Sequence, residues 1–231
     1  VLGGPPFGAF VAPHKLRIDV DEGGVAGGRA GEPINVVRGR TVDLLIPAEA
    51  EIVIEGYIDT EYLEPEGPFG ESHGHIALEE FNMPMRVTAI THRRNAIVAS
   101  YISQVTPSES SAMKRVAYEP MFFTHLRNTL GIRGVKRVTL HERMTALRRL
   151  MVITVEKGMP RSEIWRALYG ATSFRADCGK ICIAVNDDID PDNSDAIFWA
   201  LAFRMNPVED LQVLQHRSAG HGPEREHEQD D

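Results

Sequence analysis

Ser103-Gln104-Val105-Thr106-Pro107-Ser108-Glu109-Ser110-Ser111 is the stretch at which the chain changes character. Thr106-Pro107-Ser108-Glu109 carries a helix start: a threonine as N-cap, proline at the first helical position, and a glutamate three residues after the cap. The predicted helix runs toward Asn128, is kinked or broken at Pro120 and ends at Gly131. Upstream, residues 36–102 read as β structure. Ile52-Val53-Ile54 and Val87-Thr88-Ala89-Ile90-Thr91 are rich in β-branched residues, and residues 95–102 follow a turn at 92–95 as a further strand. Strands in succession with no helix between them fit a barrel or sandwich. Downstream, strands are expected at 135–141, 150–156 and 180–185. Helices are expected from Pro160 through Ala167 and over 192–205. Such a mixture makes an α/β domain, so the fold class is α+β with a change of architecture near Thr106. Residues 1–33 hold three Gly-Gly pairs and read as loops, and the charged stretch after Gly220 reads as a disordered tail.

Composition narrows the function. The 231 residues are 42% hydrophobic and 25% charged, with a formal net charge of −8, as in a water-soluble globular protein. Lysines and arginines are interleaved with acids, including the run at 136–149, which argues against a nucleic-acid surface. No apolar stretch reaches membrane-spanning length and no signal peptide is evident. Cys178 and Cys182 are the two cysteines. Four apart in an apolar run, they are expected as buried reduced thiols of a cytoplasmic protein. Trp165 and Trp199 fall on apolar helix faces and are expected in the core.

Three segments can carry chemistry. Glu64-Pro65-Glu66-Gly67-Pro68-Phe69-Gly70-Glu71-Ser72-His73-Gly74-His75 sets carboxylates (Glu66, Glu71) and imidazoles (His73, His75) on a stiff loop, donors that suit a divalent cation near a phosphate. A solvated acidic hairpin loop has the same composition. Glu109 is a candidate general acid, provided its pKa rises toward the working pH. It equally fits the third position of a capping box, where it would only satisfy backbone amides. Asn186-Asp187-Asp188-Ile189-Asp190 ends an apolar strand, where α/β folds place ligands. It lacks the glycine and terminal glutamate of a Ca2+ loop and also reads as a polar turn that starts the next helix.

Together, Glu51-Ile52-Val53-Ile54-Glu55-Gly56-Tyr57-Ile58, the Pro65–His75 loop, residues 91–102, the Ser103–Ser111 stretch, residues 179–207 and His216-Arg217-Ser218-Ala219-Gly220-His221-Gly222-Pro223 resemble the UbiD-like carboxy-lyase family. The matches keep the family's order from about residue 2 to residue 223. The resemblance implies that residues 1–105 are the C-terminal part of a split β-barrel domain that binds prenylated FMN. Residues 106–223 would then be an α/β domain with an oligomerisation arm, and 224–231 a disordered tail. It implies Mn2+ and a monovalent cation such as K+ bridging the flavin phosphate to the protein. The implied reaction is reversible, non-oxidative decarboxylation of an aromatic, heteroaromatic or α,β-unsaturated acid, with a glutamic acid protonating the carbon that loses CO2. By position, Glu109 matches the proton donor, Glu66 the metal-ligating glutamate with Glu71 as its alternate, and Gln104 a pocket residue.

Family members are about twice this length. The segments that carry a metal-binding asparagine and histidine, the phosphate-binding backbone and an arginine that pairs with the catalytic glutamates find no match here. The chain is therefore expected to be an N-terminally truncated part, inactive alone. A homo-oligomer, dimer or hexamer, is expected through the arm at 211–223, with the cofactor supplied by a flavin prenyltransferase. Two other readings are a non-catalytic scaffold of the same fold and a metal-dependent hydrolase using Glu66, Glu71, His73 and His75.

Overall fold

A computed structural model describes residues 19–70, 76, 80–102, 104–141 and 148–217. The chain forms two compact units. The first contains 19–69, 76 and 80–102, and the second contains Gly70, 104–141 and 148–217.

The first unit opens with helix α1 (Glu22–Ala30), where the glycine-rich sequence predicts loops. Glycines weaken a helix interior by about 1 kcal/mol each, so the ends carry the definition. The Asp21 side chain accepts the Gly24 N–H, and Gly31 closes the helix at φ 79°, its N–H donating to the Gly27 carbonyl. Gly27 is also a close approach, since a Cβ there would lie 3.0 Å from the Glu32 carbonyl oxygen. Three antiparallel pairs follow. β1 (Val36–Arg38) pairs with β2 (Leu45–Pro47), β3 (Ile52–Ile58) with β6 (Met85–His92), and β4 (Glu64–Glu66) with β5 (Glu80–Asn82). Among the described residues these remain separate two-stranded sheets and no closed barrel forms. The strand expected over 95–102 is absent among the described residues, where the Ile97 N–H donates to the Glu51 carboxylate at 3.1 Å instead of to a neighbouring strand.

The second unit is a three-stranded sheet between helices. Strand β7 (Val135–Leu140) runs antiparallel to β8 (Leu150–Val155), and β8 runs parallel to β9 (Ile181–Asn186). β8 alternates between two apolar clusters. Met151, Ile153 and Val155 join Phe122, Leu126 and Ala167 on one face, while Val152 joins Val185, Ile197 and Ala200 on the other. Helix α2 (Glu109–Thr124) and helix α3 (Arg161–Phe174) thus cover one face and helix α4 (Ser194–Arg204) the other. α2 continues through Pro120 and passes into a π-helical turn at His125–Thr129, ending before Gly131 at φ 71°. The expected break at Pro120 does not occur. α3 runs seven residues beyond Ala167. Trp199 is 47% exposed and Trp165 half-buried, stacked on Tyr169, so the expectation that both tryptophans lie in the core is corrected.

Candidate functional site

The start of α2 differs from the sequence expectation in a way that matters chemically. Ser108, extended at φ −142° and ψ 164°, is the N-cap, and the Thr106-Pro107 bond is cis. The reciprocal partner is Ser111. The Ser108 N–H donates to Ser111 Oγ at 2.9 Å and the Ser111 N–H to Ser108 Oγ at 3.3 Å. Two serines close the box, and Glu109 falls at the first helical position, exposed. The reading of Glu109 as the capping acid is therefore corrected. Thr106 is 2% exposed and fixes the entry to the helix.

Gln104 lies five residues before Glu109. Its side chain packs on Gly70: a Cβ at Gly70 would stand 2.9 Å from both Cδ and Nε2 of Gln104. Two of the three candidate segments, the acidic loop and the start of α2, therefore touch within the second unit. Glu66, in the first unit, is half-buried on β4, and its Oε2 accepts a 3.0 Å hydrogen bond from Asn82 Nδ2. Glu71, His73 and His75 lie outside the described residues. Among the described residues no three His, Cys, Asp or Glu side chains gather as a metal site. Glu66 offers one carboxylate to a cation, short of a full ligand set.

The acidic turn after β9 resolves into structural contacts. Asp188 pairs with Arg204 at 2.7 Å, and Asp190 accepts the Asp192 N–H at 3.0 Å. Asp192 joins Arg115 of α2 and, at 2.7 Å, Arg137 of β7. Burial pushes the Asp192 carboxyl up, but the two guanidiniums outweigh it and hold the pKa below the usual carboxylate range. Cys178 and Cys182 are free thiols, each pushed up to about 11 by burial, so they stay protonated and poorly nucleophilic.

One carboxylate escapes the sequence reading. Glu55 is 2% exposed and accepts N–H bonds from Arg40 (3.0 Å), Thr41 (2.7 Å) and Val42 (3.3 Å), with the Thr41 hydroxyl at 3.1 Å. These donors, the Arg40 and Thr41 amides foremost, hold its pKa below the ordinary value. The strand alternation contains the signal, because Glu55 shares a face with the buried Val53. Gly39 makes room, since a Cβ there would lie 3.0 Å from Glu55 Oε2. Glu55 is tied to the 40–42 loop and is an anchor for it.

Comparison with known proteins places the chain. Residues 1–105 match the 3-octaprenyl-4-hydroxybenzoate carboxy-lyase Rift-related domain, and residues 111–226 match the C-terminal domain of the same carboxy-lyase. An uncharacterized protein of Archaeoglobus fulgidus is 28% identical over 223 residues, 92% of this chain and 44% of that protein. Among solved structures, an evolved dimeric form of the UbiD-class enzyme HmfF from Pelotomaculum thermopropionicum in complex with prFMN superposes with a TM-score of 0.83 at 30% identity. It covers 93% of this chain and 48% of its own. Apo 3,4-dihydroxybenzoic acid decarboxylase (AroY) of Klebsiella pneumoniae follows at a TM-score of 0.76 and 26% identity, over 88% and 43%. The chain spans less than half the length of these relatives. It belongs to the UbiD carboxy-lyase family and has a mixed α/β fold matching UbiD-class structures.

Proposed function

We propose that this UbiD-family chain is part of a decarboxylase that uses prenylated FMN to remove CO2, reversibly and without net oxidation, from an aromatic, heteroaromatic or α,β-unsaturated carboxylic acid. The observation that carries the reading is the match of residues 1–105 and 111–226 to the two carboxy-lyase domains, together with the similarity to HmfF in complex with prFMN. When bound, the flavin supplies the electronic activation for loss of CO2. The chain's own residues orient the acid and bring a proton to the carbon that CO2 leaves. The described residues do not make a complete Mn2+ or K+ site, so no step is derived through a metal. Glu66 is the proposed carboxylate ligand and Glu71 its alternate.

Glu109 is the proposed proton donor. The Ser108–Ser111 box leaves it out of the capping pair, which favours the role. The helix N-terminus opposes it, because the dipole stabilises a carboxylate over the neutral acid a donor must be. A second reading follows from that position: the donor is a carboxylate of the acidic loop, either Glu66, half-buried on β4, or Glu71. Decarboxylation is measured with reconstituted prenylated FMN, on the chain alone and on the chain extended to the length of its relatives. CO2 release from the extended protein, with little from the chain alone, is the expected result. Loss in Glu109→Gln with flavin still bound selects Glu109. Activity there, with loss in Glu66→Gln or Glu71→Gln, selects the loop. An extended protein that binds no flavin would sink the reading.

Homo-oligomerisation, as dimer or hexamer, is part of the proposal. The segment after α4 ties its polar groups to α3 and the turn that follows it: Arg161 meets Asp210 at 2.9 Å, Tyr169 meets Gln212, and Arg217 donates to the Cys178 carbonyl at 2.8 Å and to that of Thr172. Val208, Leu211 and Val213 are left 90%, 59% and 78% exposed, a strip that a second copy would cover. Among the described residues no helix is long and apolar enough to cross a membrane. A cytoplasmic setting and dependence on a flavin prenyltransferase complete the proposal.

A further inference from the structure

We infer that residues 205–217 form a strap laid along α3 and that Arg217 is its latch, which closes the strap by capping the end of α3 and holding the turn that carries Cys178. α3 ends without a cap of its own. Its last turn holds no basic residue, and Arg175 after it is extended rather than a left-handed glycine, so its final carbonyls need donors from elsewhere. Arg217 supplies them. Its guanidinium donates to the Thr172 carbonyl and, at 2.8 Å, to the Cys178 carbonyl, with those of Arg175 and Ala176 at 3.4 Å. A cation suits the negative end of a helix, and a charged donor makes the stronger hydrogen bond. The rest of the strap has a looser hold. Arg161 meets Asp210 and the Glu209 carbonyl at the start of α3, and Tyr169 meets Gln212 further along. Every residue from Asn206 to His216 is exposed, and Arg217 turns inward.

The backbone beside the latch is bent to serve it. His216 sits at φ 59°, and among the described residues it is the one non-glycine residue with a positive φ. The left-handed region strains a side chain, histidine less than a β-branched residue. The contacts of the next residue offset that strain, since the bend at His216 directs Arg217 back onto α3. The latch also bears on a thiol. The turn at 175–178 is stitched by the Cys178 N–H to the Arg175 carbonyl at 3.3 Å, by the ion group of Arg175, Asp177 and Arg148, and by Arg217. Cys178 within it is 1% exposed. Release of the strap therefore loosens this turn and leaves the sheet in place.

Cys178 and Cys182 are the two cysteines of the chain, so Cys182→Ser leaves Cys178 as the reporter. Its reaction with an excess of a colorimetric aromatic disulfide, and amide hydrogen exchange over residues 172–178, are measured on this parent chain without cofactor. Arg217→Ala is expected to speed both about tenfold, as loss of a hydrogen bond from a charged donor implies. Arg217→Lys, a point charge without the planar fork, should fall between. His216→Val keeps Arg217 but disfavours the left-handed bend, and should open the strap as Arg217→Ala does. His216→Gly should label no faster than the parent. Labelling of the parent should change little with urea below the unfolding transition, because local opening exposes little surface. Unaltered labelling or unaltered exchange in Arg217→Ala overturns the inference. So does a His216→Gly chain that labels as fast as His216→Val. A parent rate that climbs steeply with urea also overturns it, since Cys178 would then be reached only through unfolding of the whole unit.

Discussion

The two units stabilise themselves by different means. In the second, Phe122, Leu126, Val135, Leu140, Met151, Val152, Ile153, Ala167 and Ala171 are all fully buried, and β8 is covered on both faces. In the first, the buried side chains among the described residues are Ala26, Ala50, Val53 and the carboxylate of Glu55. Its strands leave Val36, Val37, Leu45, Ile58, Val87 and Ile90 between 48% and 66% exposed. Two-stranded sheets with apolar residues on view lack the burial that offsets chain entropy. The second unit is a self-sufficient core, whereas the first holds its shape through local hydrogen bonds.

The sharpest way to break that contrast is truncation on each side of it. Phe122→Ala is expected to destabilise the second unit by about 3–5 kcal/mol in urea unfolding, the usual cost of emptying a packed aromatic site. Ile90→Ala in the first unit should stay within about 0.5 kcal/mol in this chain. Comparable losses at the two positions would mean that the first unit has a core of its own.

Next in size is the ion cluster that closes the second unit. Asp192→Asn removes the acceptor of Arg115 and Arg137 and weakens the link among α2, β7 and the loop before α4. About 1–2 kcal/mol is expected, discounted for the 38% exposure of the carboxylate. Because the folded-state pKa of Asp192 lies below 3.8, its contribution is present above that value and is lost as pH falls through the folded pKa. The wild-type stability curve should therefore steepen at acid pH where that of Asp192→Asn does not. In the first unit, Glu55→Gln makes the matching test, since it replaces a carboxylate that accepts three backbone N–H groups. Faster exchange of the amides at 40–42, with the second unit's transition unmoved, is expected; a shift of both transitions would contradict independent stabilisation.

Legibility followed the same division. The second unit was readable because its elements are periodic and self-contained. Three strands were placed to within a residue of their observed ends, and α4 within two. What failed there were local decisions. Thr106 and Ser108 are both good caps, and only the buried placement of Thr106 and the presence of Ser111 settle which is used. Pro120 sits inside a helix that packing of Tyr118 and Phe122 on either side keeps intact. In the first unit, α1 was missed because glycine counts outweighed the Asp21 and Gly31 end signals. The strand expected over 95–102 does not form among the described residues, since β-branched composition says nothing about whether a partner strand is there to receive it. The family was legible from ordered motifs, and the cofactor those motifs imply is one that similar structures of HmfF hold, in complexes with prFMN and with FMN. The Gly70–Gln104 contact was not, for the two residues lie 34 positions apart in the sequence and neither composition nor period links them.

The smallest effect expected concerns the π-helical turn and asks whether the second unit's core is as uniform as its burial suggests. His125 stacks on Phe174, ring centroids 4.0 Å apart and planes 11° from parallel, and α3 approaches the turn at Gly170, where a Cβ would lie 3.1 Å from Leu126 Cδ2. Burial pushes the His125 pKa below 6.5, with the Gly170 carbonyl opposing it in part. The neutral imidazole is thus the form the fold prefers. Its contribution is complete above pH 6.5, begins to fall as pH drops through that value, and is exhausted below the folded-state pKa. Because the ring is only partly buried the change is small, and His125→Phe, which keeps an aromatic face on Phe174, isolates it. Thermal midpoints of the two proteins should run parallel above neutrality and diverge below pH 6.5, the wild type falling faster. Parallel curves through that window would mean that water reaches the imidazole and that the turn is a soft seam in an otherwise dry core.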